Sequence, residues 1–165
     1  MMDPSPALPV GRQQGRTFFA DLIRQTLHEA QAQGWTEWWW CDADFADWPL
    51  GERAVVESLT AWASSGRRLH LLAKDYRSVQ VLHARFVRWR VMWDHLIEVR
   101  ACPAASEQDF PSAMWTPNWV FQRTDRARSV VLCSDGAQER QLLQQSLREW
   151  WARSTPAFPA SVLGL

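Results

Sequence analysis

A chain of 165 residues, 47% hydrophobic and 12% aromatic, has the length of one domain and enough apolar surface to fill a core, which excludes wholesale disorder. Eighteen basic residues balance eighteen acidic ones, so the cationic excess of a general polyanion binder is absent. No apolar run reaches the ~18–20 residues of a membrane-spanning helix, and residues 1–15 lack the apolar stretch of a secretory signal.

Residues 1–16, with Pro4, Pro6 and Pro9, show no periodicity and predict a flexible lead-in. Thr17 is placed to cap a helix whose stripe of Phe18, Phe19, Leu22, Ile23, Leu27 and Ala30 closes at Gly34. The wholly apolar Trp38–Cys41 predicts a buried strand, followed by a loop holding Asp42, Asp44 and Asp47. A helix through Val55, Val56, Leu59 and Trp62 is expected to stop at Gly66, before a second strand over Arg68–Ala73. Val79, Leu82, Phe86, Trp89, Trp93 and Leu96 predict one long helix from Tyr76 to Ile97, then a third strand over Glu98–Cys102. Residues 103–117, with three prolines, read as a loop. Asn118–Arg123 and Ser129–Cys133 flank Thr124–Ala127 as a hairpin. Asp135 is placed to cap a last helix through Leu143, Leu147 and Trp150, before a tail over 154–165. Strands alternating with helices imply an α/β fold over 17–153: one mixed, mostly parallel sheet with helices on both faces.

That order, with the stretch Ala61-Trp62-Ala63-Ser64-Ser65-Gly66-Arg67-Arg68-Leu69-His70-Leu71-Leu72, resembles one half of a phospholipase D-like domain. Active members of that family carry His-x-Lys on a later strand, followed by Asp; the His attacks phosphorus and the Lys binds phosphate. The matching stretch here, Asn118-Trp119-Val120-Phe121-Gln122-Arg123-Thr124-Asp125, has no His, and the sole lysine, Lys74, lies elsewhere. The resemblance therefore implies a degenerate, non-catalytic member that binds a partner or an anionic ligand. Lys74, Arg100, Arg123 and Asp125 would be the vestige of the phosphate site. Because the family's active unit needs two halves, a homodimer is expected, burying Trp115 or Trp119 with neighbouring arginines.

Two other function classes stand beside this one. Asp42-Ala43-Asp44, directly after a strand, is similar to the Asp-x-Asp pair of haloacid-dehalogenase-type phosphotransferases and would hold Mg²⁺ in a phosphohydrolase; the bland alternative is loop acids that cap the next helix. The third class is nucleic-acid binding by an Arg/Trp surface, which zero net charge disfavours. Seventeen of the eighteen basic residues are arginine, most simply the codon usage of a GC-rich bacterium. Trp35, Trp48, Trp115 and Trp119, in or beside loops, either form an exposed interaction surface or pack beneath a loop. Lys74–Arg77 could meet an anion at a helix start, or Asp75 could simply cap it. His83 beside an Arg90–Asp94 pair reads as a hydrogen-bonded histidine rather than a base. Three scattered cysteines, Cys41, Cys102 and Cys133, fit neither a disulfide framework nor a zinc site, and a reducing, cytoplasmic setting is expected.

Overall fold

The computed structural model describes residues 8–159, so the first seven residues of the predicted lead-in and the end of the tail lie outside the described residues. In chain order the elements are β1 (Gly11–Gln14), α1 (Arg16–Gln33), β2 (Glu37–Cys41), α2 (Arg53–Trp62), β3 (Arg68–Ala73), α3 (Arg77–Leu82) and α4 (Ala84–Met92). After a short 3-10 turn (Asp94–Leu96) come β4 (Ile97–Ala101), β5 (Ala113–Trp115), β6 (Val120–Asp125), β7 (Val130–Ser134), α5 (Ala137–Ala152) and β8 (Thr155–Pro156).

Three consecutive tryptophans on β2 require cover on both sides of the sheet, because side chains alternate faces along a strand. Trp38 and Trp40 join Leu69, Leu71, Val99 and Phe121 under α1, α2, α3 and α4, which contribute Phe19, Leu22, Leu59, Val79 and Phe86. Trp39 and Cys41 join Leu72 and Val120 on the opposite face under Leu143 and Leu147 of α5. The eight strands lie in the order β1-β7-β6-β5-β2-β3-β4-β8. β2, β3 and β4 are parallel, as their helical crossovers demand, while β5, β6 and β7 form an antiparallel meander against β2.

The structure departs from the sequence expectations at identifiable points. Residues 11–14, expected within the lead-in, pair with β7; their polar Gly-Arg-Gln-Gln run has no apolar pattern, and backbone pairing alone makes the strand. Gly15 rather than Thr17 holds the N-cap position of α1, and Gly136 rather than Asp135 that of α5. The C-cap of α1 is Gly34 in the left-handed region, as its position foretold. α2 ends at Trp62, short of Gly66. β5 lies inside the supposed loop 103–117, and β8 inside the supposed tail, where Phe158 is also buried.

The expected long helix from Tyr76 breaks at His83, whose backbone (φ −125°, ψ 55°) leaves the helical region. Its ring turns inward, with Nε2 2.9 Å from the Phe45 carbonyl. Gly51 presses against the same point: a Cβ there would stand 3.0 Å from the Leu82 carbonyl oxygen and 3.4 Å from the His83 Cα. The β2–α2 loop and the α3–α4 break are thus one packed unit.

Candidate functional site

β6 runs antiparallel to β5 and β5 antiparallel to β2, so β6 points the same way as β2. The carboxyl ends of both strands therefore meet at one edge, the place where open α/β sheets gather ligands. Asp42 follows β2 there, and Arg123 and Asp125 close β6.

Asp42 and Arg123 have side chains with no exposure, and Arg123 Nη2 donates to Asp42 Oδ1 at 2.9 Å. The Ser112 hydroxyl donates to the same oxygen at 2.6 Å and accepts from Arg123 Nε at 3.1 Å. Asp42 Oδ2 accepts the backbone N–H groups of Asp44 and Phe45, at 3.2 and 2.9 Å. That turn carries Phe45 at φ 58°, a rare conformation for a bulky residue, and the Asp42 carboxylate holds it. Arg123 Nη1 reaches Asp47 at 3.0 Å, and the guanidinium lies 4.3 Å from the Phe19 ring centroid. Arg126 brings a second guanidinium to the group, 3.6 Å from Asp42 Oδ2, and contacts Asp44 at 3.2 Å and Glu107 at 3.3 Å. Asp47, Glu107, Ser112, Arg123 and Arg126 line an open cleft of about 840 Å³ whose other walls include Gln108, Phe110, Thr124 and Asp125.

Of the four residues expected at an anion site, Arg123 and Asp125 border this cleft and the other two do not. Arg100 turns to the α5 face, donating to the Ser154 carbonyl at 2.6 Å and lying over the Trp151 ring. Lys74 stands at the end of β3, its backbone N–H on the Ala43 carbonyl at 3.0 Å. Asp42 and Asp44 are adjacent but poorly disposed toward a divalent cation. The acceptor positions of Asp42 are taken by four donors, and no cluster of three or more His, Cys, Asp or Glu groups fit for a metal occurs among the described residues. Asp75 bonds the Arg77 backbone N–H at 3.1 Å, the local turn that needs no ligand.

Ser112 and Arg126 were not visible in the sequence as site residues. Ser112 meets Asp42 across 70 positions from an irregular stretch, and Arg126 is one arginine among seventeen. Asp47 had a signal, being the third acid of the loop after β2. His83 is 6% exposed and hydrogen-bonded to the Phe45 carbonyl, and Arg90 bonds Asp94 at 2.6 Å. The cysteines are buried and free; desolvation pushes the Cys41 thiol up and the Cys133 thiol up to about 12, which leaves both protonated and unreactive.

The four loop-side tryptophans are interior. Trp35, Trp48, Trp115 and Trp119 are 2%, 1%, 8% and 3% exposed, which selects the packed alternative over the exposed surface. Three of them donate Nε1 within the chain: Trp35 to Asn118 Oδ1, Trp115 to the Arg140 carbonyl and Trp119 to the Pro9 carbonyl. No helix among the described residues is long and apolar enough to cross a membrane.

No family model matches the sequence, and neither does any curated protein. Solved structures do. TrmBL2, an archaeal chromatin protein with a novel mode of DNA binding, superposes with a TM-score of 0.66 at 14% identity over 93% of this chain. This chain spans just over half, 56%, of that protein's length. Nuc, a phospholipase D family member from Salmonella typhimurium, superposes with a TM-score of 0.53 at 12% identity, over 88% of this chain and 96% of its own. At such identities the likeness speaks for architecture alone, and the architecture is the phospholipase D-like α/β fold.

Proposed function

We propose that this chain is a non-catalytic domain of the phospholipase D-like fold that works by binding a partner. The observation that carries the reading is the Asp42–Arg123–Ser112 triad. At the strand ends, where reacting groups of such folds gather, the carboxylate and guanidinium are enclosed and spend their hydrogen bonds on each other and on the adjacent loop. The cleft beside them is lined by neither His, Cys nor Lys, and the stretch 118–125 offers no histidine to attack phosphorus. An enclosed Arg123 and a diverted Arg100 also make an anionic ligand less apt than a protein partner.

The test is turnover of bis(p-nitrophenyl) phosphate by the purified protein, with Mg²⁺ or with EDTA. The expected rate equals that of buffer alone, with no acid-labile phosphohistidine after incubation with a diester. Turnover that needs Mg²⁺ and disappears in Asp44→Asn, which leaves the buried triad intact, would replace this reading with the phosphohydrolase.

Nucleic-acid binding is the second reading, favoured by the fold shared with a DNA-binding chromatin protein. It predicts that a fluorescent duplex gains anisotropy on titration, with an affinity that falls steeply with salt as phosphate counterions are released.

A further inference from the structure

On the side of the molecule away from α5, α2 and α4 leave a groove of about 290 Å³ between them. Each helix turns its i, i+3, i+4, i+7 face to it, Arg53, Val56 and Glu57 on α2 and Arg85, Arg88 and Met92 on α4. The floor is apolar: Val56 and Trp93 are half-buried against the main core, and Met92 is 74% exposed. The rim is cationic: three arginines face one carboxylate, Glu57, in a chain whose net charge is zero. Arg85 donates to the Gly51 carbonyl at 2.8 Å, and none of the three arginines forms an ion pair among the described residues. Ten of the other fourteen arginines reach a carboxylate or a backbone carbonyl elsewhere in the fold, so this rim is charge kept available.

The shape and chemistry select the kind of occupant. Two helical ridges with an apolar floor between them are a geometry that receives a helix laid lengthwise, its anchors spaced i, i+3/i+4, i+7. Unbranched, polarizable Met92 adapts to apolar side chains of varied shape. A single-stranded nucleic acid would ask instead for an exposed aromatic platform, and Trp93, the ring nearest to one, is already tilted against His95 at 5.9 Å between centroids. Arginines at the rim ask for carboxylates on the incoming segment.

We propose that the α2–α4 groove binds an acidic amphipathic helix of another protein, its apolar side on Val56, Met92 and Trp93 and its carboxylates on Arg53, Arg85 and Arg88. The inference rests on the binding reading above but uses a different surface, so absence of diester turnover and absence of helix binding are separate results.

The test is selection from a phage-displayed library of sixteen-residue helical peptides on the immobilised protein, with Arg88→Glu as the counter-selection. A fluorescein-labelled winner is then measured by anisotropy. Enrichment of sequences with Asp or Glu flanking an apolar i, i+3/i+4, i+7 stripe is expected. Arg88→Glu and Met92→Asp should each weaken the winner at least about tenfold, and added salt should weaken it further. Both side chains are exposed, so both variants should keep the wild-type melting temperature within ~2 °C. Enrichment of basic peptides, no enrichment, or equal binding by the variants would overturn the proposal. So would a dimer that Met92→Asp dissolves, or displacement of the peptide by duplex DNA, since another copy or a nucleic acid would then own the groove.

Discussion

Arg123 ties four separate parts of the chain together: the turn after β2 through Asp42, the following loop through Asp47, the approach to β5 through Ser112, and α1 through Phe19. Removing one charge of an enclosed pair leaves the other unpaired, at a cost of roughly 3–5 kcal/mol. Asp42→Asn should therefore lower the urea-unfolding free energy by about that amount, and Arg123→Met in the same chain should restore part of it. A double variant as unstable as the two single losses added would show that the pair is not coupled. His70 stacks on Trp39 with centroids 4.3 Å apart and meets Trp151 edge-on at 5.2 Å. Its Nδ1 is buried without a hydrogen-bond partner, and desolvation holds its pKa below the usual 6.5, against the pull of Glu98 and Glu37. The unfolded chain thus takes up a proton there before the folded one does, so this site is neutral to stability well above pH 6.5 and costs stability as the pH falls below that value. The melting temperature should drop between pH 7 and pH 5, and His70→Phe should flatten that stretch of the profile.

Leu71 is centred on β3, between β2 and β4, with no exposure. Leu71→Ala should cost roughly 2–5 kcal/mol in denaturant melts, and a loss under ~1 kcal/mol would contradict its place in the core. Gly51→Ala tests the contact between loop and helix break: its Cβ would arrive 3.0 Å from a backbone oxygen that cannot swing aside. A loss of roughly 1–3 kcal/mol is expected, read from the same melts. These two positions also show which elements were legible beforehand. β2 and β3 announce themselves because buried parallel strands are short apolar runs, and α1 because Gly34 punctuates a regular stripe. β1 and β8 were hidden because edge strands draw on backbone pairing with a distant partner, β7 or β4, rather than on any local pattern. The break at His83 was hidden for a related reason: its neighbours fit a helical stripe on both sides, and the cause of the interruption is a carbonyl 38 positions away.

Across the whole molecule, the alternating order of helices and strands was enough to reach the α/β sheet and the phospholipase D-like likeness, because right-handed crossovers leave few arrangements open. The cleft was legible only in part. Asp42, Asp44, Arg123 and Asp125 were picked out, yet a sequence does not say that Asp42 and Arg123 neutralise each other, since that depends on the meander of β5 and β6 returning to β2. The tryptophans were ambiguous for the same reason: nine of the twelve are buried, which the two-sided sheet makes possible. The ends of that sheet have one consequence for how it meets other chains. On the β4 side the last strand is only two residues long and finishes with Pro156, which has no N–H to offer, while Phe158 stacks on Tyr76 at 5.3 Å to pin the segment down. On the other side β1 is four residues long, and among the described residues no strand lies beyond it. The sheet is thus terminated at one margin and extensible at the other. Among the described residues, the place where a foreign strand would add is Gly11–Gln14, and the charge of Arg12 on that strand works against uncontrolled growth.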